Sequence, residues 1–198
     1  MYRCPWCECN EKMISYHDEE WGVPLRDDQK QFEFLMMEVM QCGLNWNMMI
    51  QKREIFRKCF ASFDFDQVAA FGEENIERIL QTEGMIRSRR KVEAVIHDAK
   101  CFQNIREEFG SFSNYIWSFT DGKTYIYRNR KPGVLVARNN LSDVISKDLK
   151  KRGLKYMGSI TVYSHLQACG MINDHDKECF RYQQLLDMAD VEYRKDDE

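Results

Sequence analysis

Little in this chain interrupts a helix. Three Pro and ten Gly are spread over 198 residues, too few to supply the many tight turns of a β-rich fold. Strand-like alternation is sparse, and good helix formers are plentiful, so the composition favours an all-α protein. No uninterrupted apolar run approaches the roughly 20 residues that cross a bilayer, and the first residues lack the basic-then-apolar order of a secretory leader. No membrane partner is expected, and the expected compartment is cytoplasmic. Thiols stay reduced there, so the eight Cys, at 4, 7, 9, 42, 59, 101, 169 and 179, are read as buried apolar residues or metal ligands. An excess of positive charge is also missing. The formal net charge of −3 excludes a surface coated in basic residues, although local clusters leave room for one basic face. They lie at Arg87, Arg89, Arg90 and Lys91, at Arg128, Arg130 and Lys131, and at Lys147, Lys150, Lys151 and Arg152.

There is neither an internal repeat nor a low-complexity tract. The length suits a single domain over 1–189, or two closely packed helical lobes, followed by a polar tail over 190–198. Asp27 or Asp28 can cap a helix that runs to about Gln41 and carries Phe32, Leu35, Met36 and Val39 at i, i+3, i+4 and i+7. Further helices are expected near 46–59, 65–71, 73–81, 88–108, 141–152 and 159–171, with Asn140 or Ser142, and Ser159, as caps of the last two. The stretch from Thr120 to Asn139, with Gly122, Pro132 and Gly133, is expected to be a turn, a hairpin or a long loop outside the helical scaffold.

Cys4 and His17 lie near the N-terminus, and His175 and Cys179 are spaced i, i+4, which on one turn of helix would aim both side chains the same way. Two sulfurs and two imidazoles suit tetrahedral zinc. Spacing permits this site without compelling it. Cys4-Pro5-Trp6-Cys7 is itself a C-x-x-C pair that could serve another metal or a thiol redox reaction. Neither a second C-x-x-C nor a βαβ pattern supports those alternatives.

Longer motifs decide between them. Tyr16-His17-Asp18-Glu19-Glu20-Trp21-Gly22-Val23-Pro24, Glu38, Gln41-Cys42-Gly43-Leu44-Asn45-Trp46 and Gly84-Met85-Ile86-Arg87 occur in this order. Lys150-Lys151-Arg152-Gly153 and Gln167-Ala168-Cys169-Gly170-Met171-Ile172-Asn173-Asp174-His175 follow. In order and spacing they resemble the 3-methyladenine DNA glycosylase I family over about residues 1–180. The resemblance implies an all-α helix–hairpin–helix glycosylase fold in which one structural zinc, held by Cys4, His17, His175 and Cys179, clips the two terminal segments together. Cys7 and Cys9 then stand aside.

It further implies hydrolysis of the N-glycosidic bond of 3-methyladenine in alkylated double-stranded DNA, by a monomer without a nucleotide cofactor. The target base must leave the duplex to be reached. Trp6, Tyr16, Trp21 and Trp46 are the candidate walls of its pocket, where a cationic purine gains cation–π attraction that normal adenine lacks. Trp21 is expected to pack mainly behind that pocket, and Trp117 in the core. Glu38 is the candidate catalytic carboxylate, accepting from the exocyclic amino group. Helix 73–81, the turn Thr82–Ile86 and the helix from Ser88 would form the hairpin, with Gly84 allowing close approach and Arg87 and Lys91 neutralising phosphates.

Leu44 is either a wedge entering the space left by the extruded nucleotide or a core residue. A Gly-Pro-Asp segment and a lysine placed to form a Schiff base are both missing, so base removal without strand cleavage is expected. Some positions depart from the family pattern: Met13 replaces a pocket tyrosine, Cys42 and Asn45 replace Ala and Ser, and His165 replaces an aromatic. The change at Met13 keeps open a second reading, a zinc-stabilised module that binds lesions without excising them. His97 and His165 are assigned to packing or the surface.

Overall fold

The computed structural model describes residues 1–128 and 136–195. Arg130, Lys131, Pro132 and Gly133 of the expected loop, and the end of the tail at 196–198, lie outside the described residues. The helices are α1 (Glu11–Glu19), α2 (Asp28–Gln41), α3 (Trp46–Cys59), α4 (Phe65–Ala69) and α5 (Glu73–Gln81), then α6 (Arg89–Phe109), α7 (Phe112–Ser118), α8 (Asn140–Lys151), α9 (Ser159–Ala168) and α10 (Phe180–Met188). Two short strands, β1 (Thr124–Tyr127) and β2 (Val191–Arg194), accompany them. None of the described helices is long and apolar enough to cross a membrane.

The centre is α2, buried at every position from Gln31 to Met40. The expected face of Phe32, Leu35, Met36 and Val39 is only part of what it buries, as befits a helix surrounded by α3, α6, α7 and α9. Asp27 caps it by accepting from the Lys30 amide at 2.8 Å. Asp28 caps a different helix: its carboxylate accepts from the amides of Phe112 and Ser113, both at 2.8 Å, and so fastens α7 to the start of α2. Along the inner face of α6, Phe102 stacks on Phe112 with ring centroids 3.8 Å apart and meets Phe32 edge-on at 4.9 Å. Trp117 is buried as expected, its indole N–H donating to the Leu25 carbonyl at 2.8 Å.

Two expected caps move. Asn139 caps α8, accepting from the Ser142 amide at 2.9 Å, and Gly158 opens α9 without a side-chain cap. The residues expected to form a polar tail from Asp190 are partly structured. β2 pairs parallel with β1, with Thr124 opposite Val191 and Tyr127 opposite Arg194. An isolated bridge between Tyr125 and Ile172 adds the chain just before His175 to the same edge. The N-terminus arrives beside this C-terminal segment, the Phe180 amide donating to the Tyr2 carbonyl at 3.1 Å.

Candidate base pocket and metal cluster

Cys4, His17, His175 and Cys179 are all buried, and their ligand atoms lie within 4.8 Å of one another. His175 Nδ1 is 3.6 Å from Cys4 Sγ and 3.5 Å from Cys179 Sγ, and His17 Nε2 is 3.5 Å from Cys179 Sγ. These spacings fit a metal: Zn–S and Zn–N bonds of ordinary length at the tetrahedral angle put S and N about 3.6 Å apart. The second ring nitrogens are already engaged. His17 Nδ1 is 2.8 Å from Asp18, which Arg3 grips from the other side, and His175 Nε2 is 3.1 Å from the Trp21 carbonyl. Such outer partners orient metal-binding imidazoles. One expectation needs correction. His175 and Cys179 do not share a helical turn; His175 lies in the loop after Ile172, and Cys179 is the N-cap of α10. The loop itself aims the two side chains together, through the Cys179 amide bonded to the Asp176 carbonyl at 2.8 Å. Cys7 is buried with its thiol donating to the Cys4 carbonyl, and Cys9 is exposed.

Tyr16 and His17 are neighbours on α1 and serve two sites. His17 enters the cluster, whereas Tyr16 lines a cavity of about 700 Å³ together with Trp6, Trp21, Glu38 and Trp46. Tyr16 and Trp46 are tilted with centroids 5.6 Å apart, and Trp6 meets Trp21 edge-on at 4.9 Å. Trp21 also packs edge-on against His175 at 4.5 Å, so it both walls the cavity and backs onto the cluster. Two of the polar groups that line the cavity are the Glu38 carboxylate and the Tyr16 hydroxyl. Both residues are buried, and neither side chain has a hydrogen-bond partner among the described residues. Burial pushes the Glu38 carboxyl up to about 8 and, with the nearby Glu38 charge, holds the Tyr16 hydroxyl protonated well above its ordinary range.

An ion-pair network with no signature in the sequence pattern links the elements that carry these walls. Arg53 on α3 grips both oxygens of Glu20 at 2.6 and 2.8 Å and Glu33 on α2 at 2.6 Å, and Arg57 adds a bond to Glu33 at 2.8 Å. This ties the end of α1 to α2 and α3, the helices that supply Glu38 and Trp46. Met13, read from the sequence as a departure from the family pattern, lies in the cavity wall. Gln41, Asn45, Ser164 and Gln167 also line it. Gln41, Asn45 and Gln167 belong to the ordered motifs without having been assigned to the pocket, and Ser164 lies outside every motif.

Leu44 is 37% exposed on the turn between α2 and α3, which sets aside its reading as core. Two helix starts converge on this turn. From the first turn of α6, Lys91 Nζ donates to the carbonyls of Met40 and Cys42, both at 2.7 Å, and from the first turn of α9, Thr161 Oγ1 lies 3.8 Å from Cys42 Sγ. Lys91 is therefore corrected from phosphate ligand to internal brace, being 9% exposed. Arg89 is likewise enclosed by Glu73, Glu77 and Glu93. Arg87 and Arg90 remain exposed and without an ion-pair partner among the described residues. Gly84 has φ +77°, a left-handed conformation that side chains disfavour, and its carbonyl accepts from Lys52. A second helix–turn–helix was not marked as a hairpin from the sequence: α8 and α9 pack together across residues 152–158, with Lys150, Lys151 and Lys155 exposed around the uncapped start of α9.

A family model described as methyladenine glycosylase matches residues 6–182. DNA-3-methyladenine glycosylase 1 of Escherichia coli K12 is 40% identical over 182 residues, spanning 92% of this chain and 97% of its own. A crystal structure of 3-methyladenine DNA glycosylase I superposes with a TM-score of 0.85 at 41% identity, covering 90% of this chain and 98% of that one. The Staphylococcus aureus 3-methyladenine DNA glycosylase I, solved for the structural basis of 3-methyladenine recognition, gives a TM-score of 0.85 at 30% identity, covering 90% and 95%.

Proposed function

The chain belongs to the methyladenine glycosylase family, and from that premise we propose that it excises 3-methyladenine from alkylated double-stranded DNA by hydrolysing the N-glycosidic bond. The observation that carries the reading is the pair Glu38 and Tyr16, without a hydrogen-bond partner among the described residues and buried in an aromatic cavity beside the exposed Leu44 turn. With its carboxyl pushed up to about 8 by burial, Glu38 is largely protonated at neutral pH. A purine that is cationic through 3-methylation favours the ionised carboxylate, which accepts from the exocyclic amino group, and the aromatic faces add cation–π attraction. Normal adenine brings no charge and so pays for a buried carboxylate without compensation.

The chemistry asks little of the protein beyond extraction and orientation. The C1′–N9 bond breaks with its electron pair moving to the purine and cancelling the ring charge. Water forms the new bond at C1′ and releases a proton. Lys177, at the pocket rim, is exposed, unlike the desolvated lysines that favour Schiff-base formation, so strand cleavage is not expected. Leu44 is suited to fill the gap left by the base. The starts of α6 and α9 flank it, where helix amides together with Arg87 and Lys155 can receive backbone phosphates.

Cys4, His17, His175 and Cys179 would hold zinc with four protein ligands and no position left for water, so its part is to fix Tyr16, Trp6 and Trp21. The unpaired thiols suit a reducing compartment, hence the cytoplasm. Base release from methylated duplex DNA tests the reading. Wild type should liberate 3-methyladenine, and Glu38→Gln should be strongly impaired. Binding of methylated DNA with no release would leave only a lesion-binding module, and equal release by both proteins would remove Glu38 from the chemistry.

A further inference from the structure

Remote from the termini, α6 carries His97 and Cys101 four residues apart, on one face of the helix. His97 Nε2 lies 3.7 Å from Cys101 Sγ, close to the S···N edge of about 3.6 Å in a tetrahedral zinc site. The neighbouring Asp98 is wholly buried. One of its oxygens accepts from the Lys155 amide at 2.8 Å, while the other, Oδ2, has no hydrogen-bond partner among the described residues. Ligand atoms of His97, Asp98 and Cys101 lie within 4.8 Å of one another. A further oxygen adjoins them: the Gly153 carbonyl is hydrogen-bonded with His97 Nε2 at 3.0 Å, a contact that a cation between the two would replace.

We propose that His97, Asp98 and Cys101, with the Gly153 carbonyl, form a second metal site that takes a zinc-class divalent cation. An imidazole, a thiolate and a carboxylate form a mixed donor set of the kind zinc accepts. The orphaned Asp98 oxygen is the independent sign, because a buried carboxylate oxygen with no donor is costly and a cation satisfies it. His97 is exposed and gives the ion a path in. Lys155, whose charge acts on both Asp98 and Cys101, is itself exposed and can turn its ammonium to solvent. Gly153 adopts φ +96°, and a Cβ there would sit 3.5 Å from Cys101 Sγ and 3.7 Å from His97 Nε2. A bound ion would join α6 to the turn that leads into α9.

The test counts ions and needs neither DNA nor excision, so its outcome is separate from that of the proposed activity. Folded full-length protein is equilibrated with excess Zn²⁺, freed of unbound ion by gel filtration, and its zinc per chain counted by native mass spectrometry. His97→Ala and Cys101→Ser are treated in parallel, with circular dichroism as the check on folding. Each variant should hold one ion fewer than wild type. Equal counts in wild type and in folded His97→Ala, whose side chain is exposed, would overturn the site.

Discussion

Lys91 Nζ lies 2.7 Å from the carbonyl oxygen of Cys42, a residue 49 positions earlier in the chain. With its second bond to the Met40 carbonyl it serves as a cationic cap on the C-terminus of α2 and holds the turn that carries Leu44. Lys91→Met should destabilise the protein by about 1–3 kcal/mol, since two carbonyls lose their donor. It should lower excision without changing the salt dependence of DNA binding. Arg87→Ala should leave stability unchanged and reduce the slope of log K against log salt by about one. Chemical denaturation and salt-titrated DNA binding read both; a reduced slope in Lys91→Met would return that residue to the DNA interface.

Glu38 ties activity to pH and opposes stability. Its folded pKa, about 8, lies above the unfolded value, so the folded state is relatively favoured below about pH 4.5 and loses that advantage as pH rises through 8. Glu38→Gln should therefore be more stable than wild type at pH 8, with the gap closing near pH 4. In the free enzyme kcat/KM should climb as pH passes through about 8, and Glu38→Gln should lose activity by on the order of a hundredfold. Melting temperatures and initial rates across this range decide it; a flat rate profile would contradict a role for the ionised carboxylate.

Removal of metal from the Cys4, His17, His175 and Cys179 cluster should separate the terminal segments. Chelation should lower the melting temperature and abolish excision together, because Tyr16 and His17 share one helix and Trp21 packs on His175. Re-addition of zinc should restore both. A metal-free protein with full activity and unchanged melting would refute the clip.

His165 is buried, and among the described residues neither ring nitrogen has a hydrogen-bond partner. Burial lowers its pKa to about 3, so the stability it permits is present above about pH 6.5 and is lost as pH falls from there toward 3. His165→Phe should raise stability at pH 7 by about 1–3 kcal/mol, and the gain should grow at pH 5. Thermal unfolding at the two pH values checks this; a smaller gain at pH 5 would show that His165 is charged in the folded protein.

Helices with a clear apolar period, α2, α3, α5, α6 and α8, were legible in the sequence to within about a residue at each end. α1, α7 and α10 were not; α7, for one, is fastened at its start by Asp28, far away in the chain. β2 was hidden because its partner, β1, is remote in the chain. Tyr16, His17, Trp21, Glu38, Trp46 and His175 stand in ordered motifs, which hold their chemistry within a few positions, whereas Cys4, Trp6 and Cys179 lie outside them and were assigned only through the family resemblance.

Local sequence thus determined periodicity, caps and the identity of the reactive side chains, all of which depend on neighbours within about one turn of chain. Tertiary structure alone decided where each charge points. Lys91 turns inward to two carbonyls, Arg89 into a ring of carboxylates, and Arg53 onto Glu20 and Glu33, while Arg87 stays in water. The reason is that a long cationic side chain sits wherever acceptors and solvent are nearest, and those are set by helices brought together from distant parts of the chain.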